Sequence, residues 1–178
     1  MQRLALDQVW WLVSPQNPLK PRAGMAALAE RIATARAMAR HPRIRVTALE
    51  AALGTRYTVD TLRALKARAP GAFFVWLMGA DNLSQISAWR AWPAIFRLVP
   101  VAVFDRPHCA YRALAGKAAR RFAPNRIATA KAVTLATRSP PAWIFFRQRL
   151  AGISATEIRR RHVSTTSTAQ GDRHRRKA

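Results

Sequence analysis

The sequence has one cysteine and no long apolar run, and each scarcity excludes a class of protein. Cys109 stands alone in 178 residues, so no internal disulfide can form, and we expect a reducing cytoplasm as the compartment. The longest apolar runs, such as residues 98–104, are far shorter than the roughly 20 residues that span a bilayer. The sequence therefore predicts no membrane segment. Because Asp7 interrupts the apolar N-terminal stretch, it also predicts no secretory signal.

Acidic residues are scarce as well. Eight Asp and Glu face 31 Lys and Arg, which gives a net charge of +23 spread along the whole chain. Such a field attracts anionic ligands, including nucleotides, phosphates, nucleic acid and acidic lipid headgroups, although a general arginine bias of composition explains it equally well. Half of the residues are hydrophobic, which is enough for a packed core and excludes global disorder.

Short apolar runs alternate with amphipathic segments along the chain. Strands are predicted at 7–14, 43–48, 73–78, 98–104 and 143–146. Helices are predicted at 25–40, 58–69, 83–96, 110–122, 127–138 and 154–162, with a loop at 49–56. Strands that are apolar on both faces and alternate with helices indicate the α/β class, a doubly wound, mostly parallel sheet. Residues 1–163 are predicted to form this domain, and residues 164–178 a disordered basic tail.

In such sheets the ligand crevice lies beyond the carboxyl ends of the strands. The residues that follow the apolar runs there are Ser14, the turn Gly79-Ala80-Asp81, and Asp105-Arg106. A glycine permits close backbone approach, and a carboxylate can hold a ribose hydroxyl. An ordinary strand-to-helix turn with Asp81 as the helix N-cap explains the same residues.

Two other segments allow both a functional and a structural interpretation. Ser154 and Glu157 have the spacing of a capping box, so the helix that they begin is either simply capped or, with Arg159 one turn further, a phosphate cradle. Trp89 and Trp92 could stack on a planar ring or pack in the core, which is commoner for tryptophans at helical spacing.

Known catalytic signatures do not occur in this sequence. It has no Gly-Lys-Ser/Thr phosphate loop, no Gly-x-Gly-x-x-Gly fingerprint and no His-Glu-x-x-His helix. His108 and Cys109 are adjacent, and adjacent side chains cannot orient each other as a nucleophile and its base must. The pattern alone predicts no metal ligands and leaves the catalytic residues unknown.

Five stretches occur in a specific order: DQVWWLVSPQNPLK (7–20), YTVDTL (57–62), FVWLMGADNLSQISAWRAW (74–92), VAVFDRP (101–107) and ISATEIR (153–159). Together they resemble the bacterial nicotinate-nucleotide adenylyltransferases of the nucleotidyltransferase superfamily. The resemblance implies transfer of AMP from ATP to nicotinate mononucleotide, which yields nicotinate adenine dinucleotide and pyrophosphate in NAD biosynthesis. It also implies a Rossmann-like fold and Mg²⁺ on the phosphates.

The resemblance further implies a role for individual residues. For ATP these are Gly79, Ala80 and Asp81 at the ribose, and Ser154, Thr156 and Arg159 at the phosphates. For nicotinate mononucleotide these are Thr58, Trp89 and Arg106, with Trp89 stacked on the pyridine ring. Lys20 would approach the phosphates.

One departure from the family pattern is large. The opening pattern Gly-x-Phe-x-Pro-x-His-x-Gly-His is not found, although its two histidines bind the triphosphate in this superfamily. The resemblance implies that the first strand, which is a central one, precedes Met1, and we expect Met1 to be an internal start of a longer protein. The alternatives are an inactive fragment or paralogue that only binds nucleotide, and a basic nucleic-acid-binding protein, which has no motif in support.

Overall fold

A computed structural model of the chain describes residues 1–15 and 26–147, all of which belong to one compact unit. Several predictions fall on the remaining residues and lie outside the described part. They are Lys20, the segment 152–159 with Ser154, Thr156 and Arg159, the helix 154–162, the boundary at residue 163 and the tail 164–178.

Five short parallel strands carry the described part of the chain. They are β1 (Val9–Leu12), β2 (Ile44–Thr47), β3 (Trp76–Gly79), β4 (Val101–Phe104) and β5 (Trp143–Phe146). One sheet has the order β1-β2 and the other the order β3-β4-β5, and every pairing is parallel. The prediction of an α/β fold with parallel strands is confirmed.

The three-stranded sheet is covered on both faces, as its sequence predicts. Alternate residues of β4, Val101 and Val103, pack into one core, whereas Ala102 packs into a second core on the opposite face. Strand β5 divides in the same way, and all four of its residues are buried. Two buried faces are the reason that these strands are continuously apolar rather than alternating.

Seven helices join the described strands. They are α1 (Leu28–Met38), α2 (Leu49–Ala52), α3 (Thr58–Arg68), α4 (Ala80–Gln85), α5 (Trp92–Leu98), α6 (Ala110–Leu114) and α7 (Lys117–Arg121). Helix α2 lies where a loop was predicted. The predicted helix 83–96 is instead divided into α4, a 3-10 turn at Ile86–Ala88, and α5, because Ala91 adopts a left-handed φ of 47°. Residues 110–122 form two helices that break before Gly116, and the predicted helix 127–138 is a 3-10 helix over Thr129–Thr134.

The start of β3 also differs from the sequence prediction. Phe73 is 70% exposed and lies outside the strand, which begins at Trp76. The backbone N–H of Trp76 donates to Pro100 O, at the point where β4 begins. Residues 73–75 precede the first pair between β3 and β4, Trp76 with Val101. They are therefore not part of the strand, although they are apolar.

The first residues of the chain pack against the three-stranded sheet. A 3-10 turn over Gln2–Leu4 buries Leu4 in the second core. The described strands divide into two sheets, with the rings of Trp10 and Phe74 in edge contact at 6.3 Å. In the part of the chain that the structure describes, no helix has the length and apolar character to cross a bilayer.

Candidate functional site

Strand register brings the first candidate pair together. Gly79 and Phe104 are the last residues of β3 and β4, and they pair with each other. The residues two positions after them therefore lie at the same edge of the sheet. Arg106 Nε accordingly lies 3.0 Å from Asp81 Oδ1. The sequence predicted both residues from their positions after apolar runs, and the structure brings them into contact.

The carboxylate of Asp81 retains hydrogen-bonding capacity. Oδ1 is shielded from solvent and accepts no aligned hydrogen bond from a described residue, although the Arg106 guanidinium is close enough for an ion pair. Asp81 is the second residue of α4, and the N-cap is Gly79 without a side-chain cap bond, so the interpretation of Asp81 as the N-cap is wrong. Ala80 is fully buried, backbone included, so the structure does not expose it to a ligand.

Gly79 is required here for space rather than for a left-handed backbone. Its φ of −80° is open to any residue. A Cβ at this position would collide with Asp81 Oδ1 and lie 2.6 Å from Arg106 Nε. The ion pair crosses directly over the glycine, and a larger residue would separate the two side chains.

Gly79→Ala is therefore expected to weaken ATP binding about fivefold, since surface ion pairs and their geometry contribute about 1 kcal/mol. The free energy of unfolding should change by less than about 1 kcal/mol, because the atoms that must move are the ends of two exposed side chains. Calorimetric titration with ATP and urea unfolding measure the two effects. The matched control is Gly71→Ala, where nothing lies within 4 Å of the added Cβ.

A second group of residues forms around Tyr57. The guanidinium carbon of Arg90 lies 4.8 Å from the centre of the Tyr57 ring, so the turn that holds Trp89 lies beside the start of α3. Thr58 is the first residue of α3, whose N-cap is Tyr57, and the helix has no side-chain cap bond. The buried hydroxyl of Thr61 fixes this end of the helix through Thr55 Oγ1, 2.8 Å away, and Tyr57 O.

The two tryptophans have different environments. Trp92 is 7% exposed and packs edge-on against Phe96 and Phe122, so it belongs to the core. Trp89 is only partly buried at the margin of the same core. The choice between stacking and packing, open from the sequence, is settled as packing for Trp92 and stays open for Trp89.

Sequence reasoning did not single out four residues whose contacts or burial the structure makes notable. Arg31 donates from its guanidinium to Ser14 O at 2.6 Å and thereby holds the exit of β1. Glu50 is 7% exposed directly after β2, and its Oε2 has no hydrogen-bond partner. Tyr57 and Arg90 lie within the quoted motifs but were not singled out. No sequence pattern marks Glu50, a single acid in an alanine-rich turn.

Metal ligands and nucleophiles are not brought together among the described residues. Within 1–15 and 26–147, no group of three or more His, Cys, Asp or Glu side chains could hold a metal ion. Cys109 donates its backbone N–H to Arg106 O, while His108 takes a left-handed φ of 60° in the same turn. This pair shapes the turn after β4.

Comparison with known proteins identifies the family. The model of the cytidylyltransferase-like family matches residues 1–161. A probable nicotinate-nucleotide adenylyltransferase of Cereibacter sphaeroides is 52% identical over 159 residues, which are 89% of this chain and 84% of that protein. Proteins with the same description are 50% identical in Bradyrhizobium sp. (89% of this chain, 83% of that protein) and in Methylorubrum extorquens (90% and 87%).

These matches cover the parallel strands, the turn that carries Asp81 and the turn that carries Trp89. They confirm the resemblance that the five ordered motifs indicated. The nucleic-acid-binding alternative, which rested on charge alone, is not favoured. The chain belongs to the cytidylyltransferase-like family and, within it, to the nicotinate-nucleotide adenylyltransferases.

Proposed function

We propose that this protein transfers AMP from ATP to nicotinate mononucleotide and releases pyrophosphate. An oxygen of the mononucleotide phosphate attacks the α-phosphorus of ATP in line, and the bond to the pyrophosphate oxygen breaks as the new bond forms. No covalent enzyme intermediate is needed, so the protein acts by positioning both substrates and by neutralising charge on the leaving pyrophosphate.

The observation that carries this proposal is the carboxylate of Asp81 at the carboxyl edge of β3. Its Oδ1 accepts no aligned hydrogen bond from the described residues, and Arg106 lies beside it. A ribose hydroxyl supplies the missing donor. The absence of a side chain at Gly79 leaves the space in which Asp81 and Arg106 approach each other. The guanidinium of Arg106 is 56% exposed and can bind the mononucleotide at the same edge.

The second substrate lies beside Trp89 and Thr58. The pyridine ring of nicotinate mononucleotide is a cation, and it stacks favourably on an indole face. Thr58, at the first turn of α3, contributes a hydroxyl that has no cap bond to satisfy. The remaining roles, which rest on the sequence motifs, belong to Lys20 near the phosphates and to Ser154, Thr156 and Arg159 along the triphosphate.

Mg²⁺ enters this proposal as part of the substrate. The triphosphate oxygens are its main ligands, as is usual where Mg²⁺ binds together with a nucleotide. Its charge neutralises the phosphates while Arg106 contacts the substrate beside them. The single cysteine supports a cytoplasmic location, which is part of the proposal.

Pyrophosphate release tests the proposal directly. A preparation of the 178-residue chain that melts cooperatively is incubated with ATP, Mg²⁺ and nicotinate mononucleotide, and release is expected only when both substrates are present. A folded chain that binds neither substrate contradicts the proposal. A chain that binds both without turnover is retested with the codons upstream of Met1 restored, and continued silence favours the inactive paralogue.

A further inference from the structure

Asp105 is an acidic residue at the carboxyl edge of the three-stranded sheet that has no role in the proposed function. It directly follows β4, and its backbone N–H donates to Phe146 O at 2.9 Å, so its main chain is held against the last residue of β5. Its side chain bonds to the chain itself, because Oδ1 accepts the backbone N–H of Arg106 at 2.8 Å. The carboxylate therefore holds the start of the turn that carries Arg106.

The other polar group of the Arg106 main chain is bonded as well. Arg106 O accepts the backbone N–H of Cys109 at 3.0 Å, and a positive φ of 60° at His108, directly after a proline, is the pattern of a type II turn. The proline at position 107 also disfavours helical backbone at Arg106. These bonds restrict the direction in which the Arg106 side chain leaves the turn.

The side chain of Arg106 extends toward Asp81 rather than toward the acid that adjoins it in sequence. Its Nε lies 3.0 Å from Asp81 Oδ1, whereas Asp105 takes part in neither ion pair of residues 1–15 and 26–147. The bond to the main chain engages Asp105 Oδ1, and the guanidinium crosses over Gly79. One continuous set of contacts thus runs from the end of β5 through Asp105 and Arg106 to Asp81.

We infer that Asp105 is a positioning residue, which holds the main chain of Arg106 so that the guanidinium lies at the carboxyl edge beside Asp81. Its consequence for binding rests on the proposed function, in which Arg106 contacts the mononucleotide. The negative charge of Asp105 opposes an anionic ligand at this edge, so the side chain contributes as a hydrogen-bond acceptor and not as a charge.

Two variants separate the acceptor from the charge. Asp105→Ala and Asp105→Asn remove the same negative charge, but only Asp105→Ala removes the acceptor for the Arg106 N–H. In proton–nitrogen correlation spectra of the 178-residue chain, the Nε–H signal of Arg106 is identified by its absence in Arg106→Lys. Asp105→Ala should move this signal toward its position in Asp81→Asn, where the ion pair is lost, and Asp105→Asn should leave it near its wild-type position.

Calorimetric titration with nicotinate mononucleotide measures the consequence for binding. Asp105→Ala should weaken binding about fivefold, the effect of one hydrogen bond on the position of the guanidinium. Asp105→Asn should bind at least as tightly as the wild type, because it keeps the acceptor and removes a charge that repels the ligand. When Arg106→Gln is already present, Asp105→Ala should have no further effect, since there is no guanidinium to position. Urea unfolding establishes that each variant is folded.

The other results have distinct meanings. An Nε–H signal of Arg106 that does not respond to Asp105→Ala would overturn the inference, whatever the affinities. A loss of affinity that persists beside Arg106→Gln would overturn it too, because Asp105 would then contact the ligand or support the fold, and equal losses in the two Asp105 variants would assign the effect to charge. A shifted signal together with unchanged mononucleotide affinity in Arg106→Gln would instead refute the role of Arg106 in the proposed function and leave the positioning in place.

Discussion

Trp92→Ala is expected to lower the free energy of unfolding by about 3 to 5 kcal/mol, the range for removing a large aromatic side chain from a packed core. The indole is buried, packs edge-on against Phe96 and Phe122, and has the Arg121 guanidinium 5.6 Å from its ring centre. Its removal leaves a cavity that the surrounding rings cannot fill. Urea unfolding followed by circular dichroism measures the loss.

Trp89→Ala, only three residues away, should have a small effect on stability and a large effect on ligand binding. Trp89 is partly buried at the margin of the core, so its removal should cost roughly 1 kcal/mol of stability. The affinity for nicotinate mononucleotide should fall about 10- to 100-fold, because stacking of a base on an aromatic ring contributes about 1 to 3 kcal/mol. ATP affinity should remain within about twofold. If Trp89→Ala leaves mononucleotide binding intact, the ring does not stack on Trp89.

Asp81→Asn is expected to weaken ATP binding about 10- to 100-fold. The substitution keeps the size of the side chain and removes the charge that makes Oδ1 a strong acceptor, and hydrogen bonds to charged groups contribute about 1.5 to 3 kcal/mol. Titration with ATP in the presence of Mg²⁺ measures the effect. The fold should be unaffected, because the ion pair with Arg106 is exposed and contributes at most about 1 kcal/mol.

Asp60→Asn is a closely matched control for this variant. Asp60 also pairs with an arginine, Arg63, at 3.1 Å, and the side-chain exposures of 56% and 35% nearly equal the 56% and 39% of the Arg106 and Asp81 pair. Each variant therefore loses one aspartate charge and one ion pair of similar length and side-chain exposure. Equal ATP affinities in the two variants would show that Asp81 does not hold the nucleotide.

The sequence by itself determined the fold class and predicted the edge of the sheet at which Asp81 and Arg106 lie. Continuous apolar runs predicted strands with two buried faces, and β5 lies at its predicted residues, 143–146. A parallel sheet has one carboxyl edge, so position after a strand was sufficient to select Asp81 and Arg106. The five ordered motifs identified the family, because their order and spacing carry information that no single motif holds.

Periodicity failed where the backbone turns within an apolar stretch. Residues 83–96 have a helical pattern, yet Ala91 in the left-handed region divides them. Hydrophobic spacing indicates which side chains are buried, but it does not predict the backbone conformation of a single residue. For the same reason the pattern assigned 127–138 to an α-helix, whereas the structure forms a 3-10 helix there.

Only the tertiary structure decided which side chains meet. The sequence gives no means of distinguishing Trp89 from Trp92. In the structure Phe122, at the end of α7, packs on Trp92 in the core, and Trp89 lies at the margin of that core. The contact of Arg90 with Tyr57 joins residues 33 positions apart. The need for glycine at position 79 comes from two side chains that cross above it, Asp81 from the first turn of α4 and Arg106 from the turn after β4. Such contacts depend on the register between strands and on the packing of helices, which are properties of the folded chain rather than of any local segment.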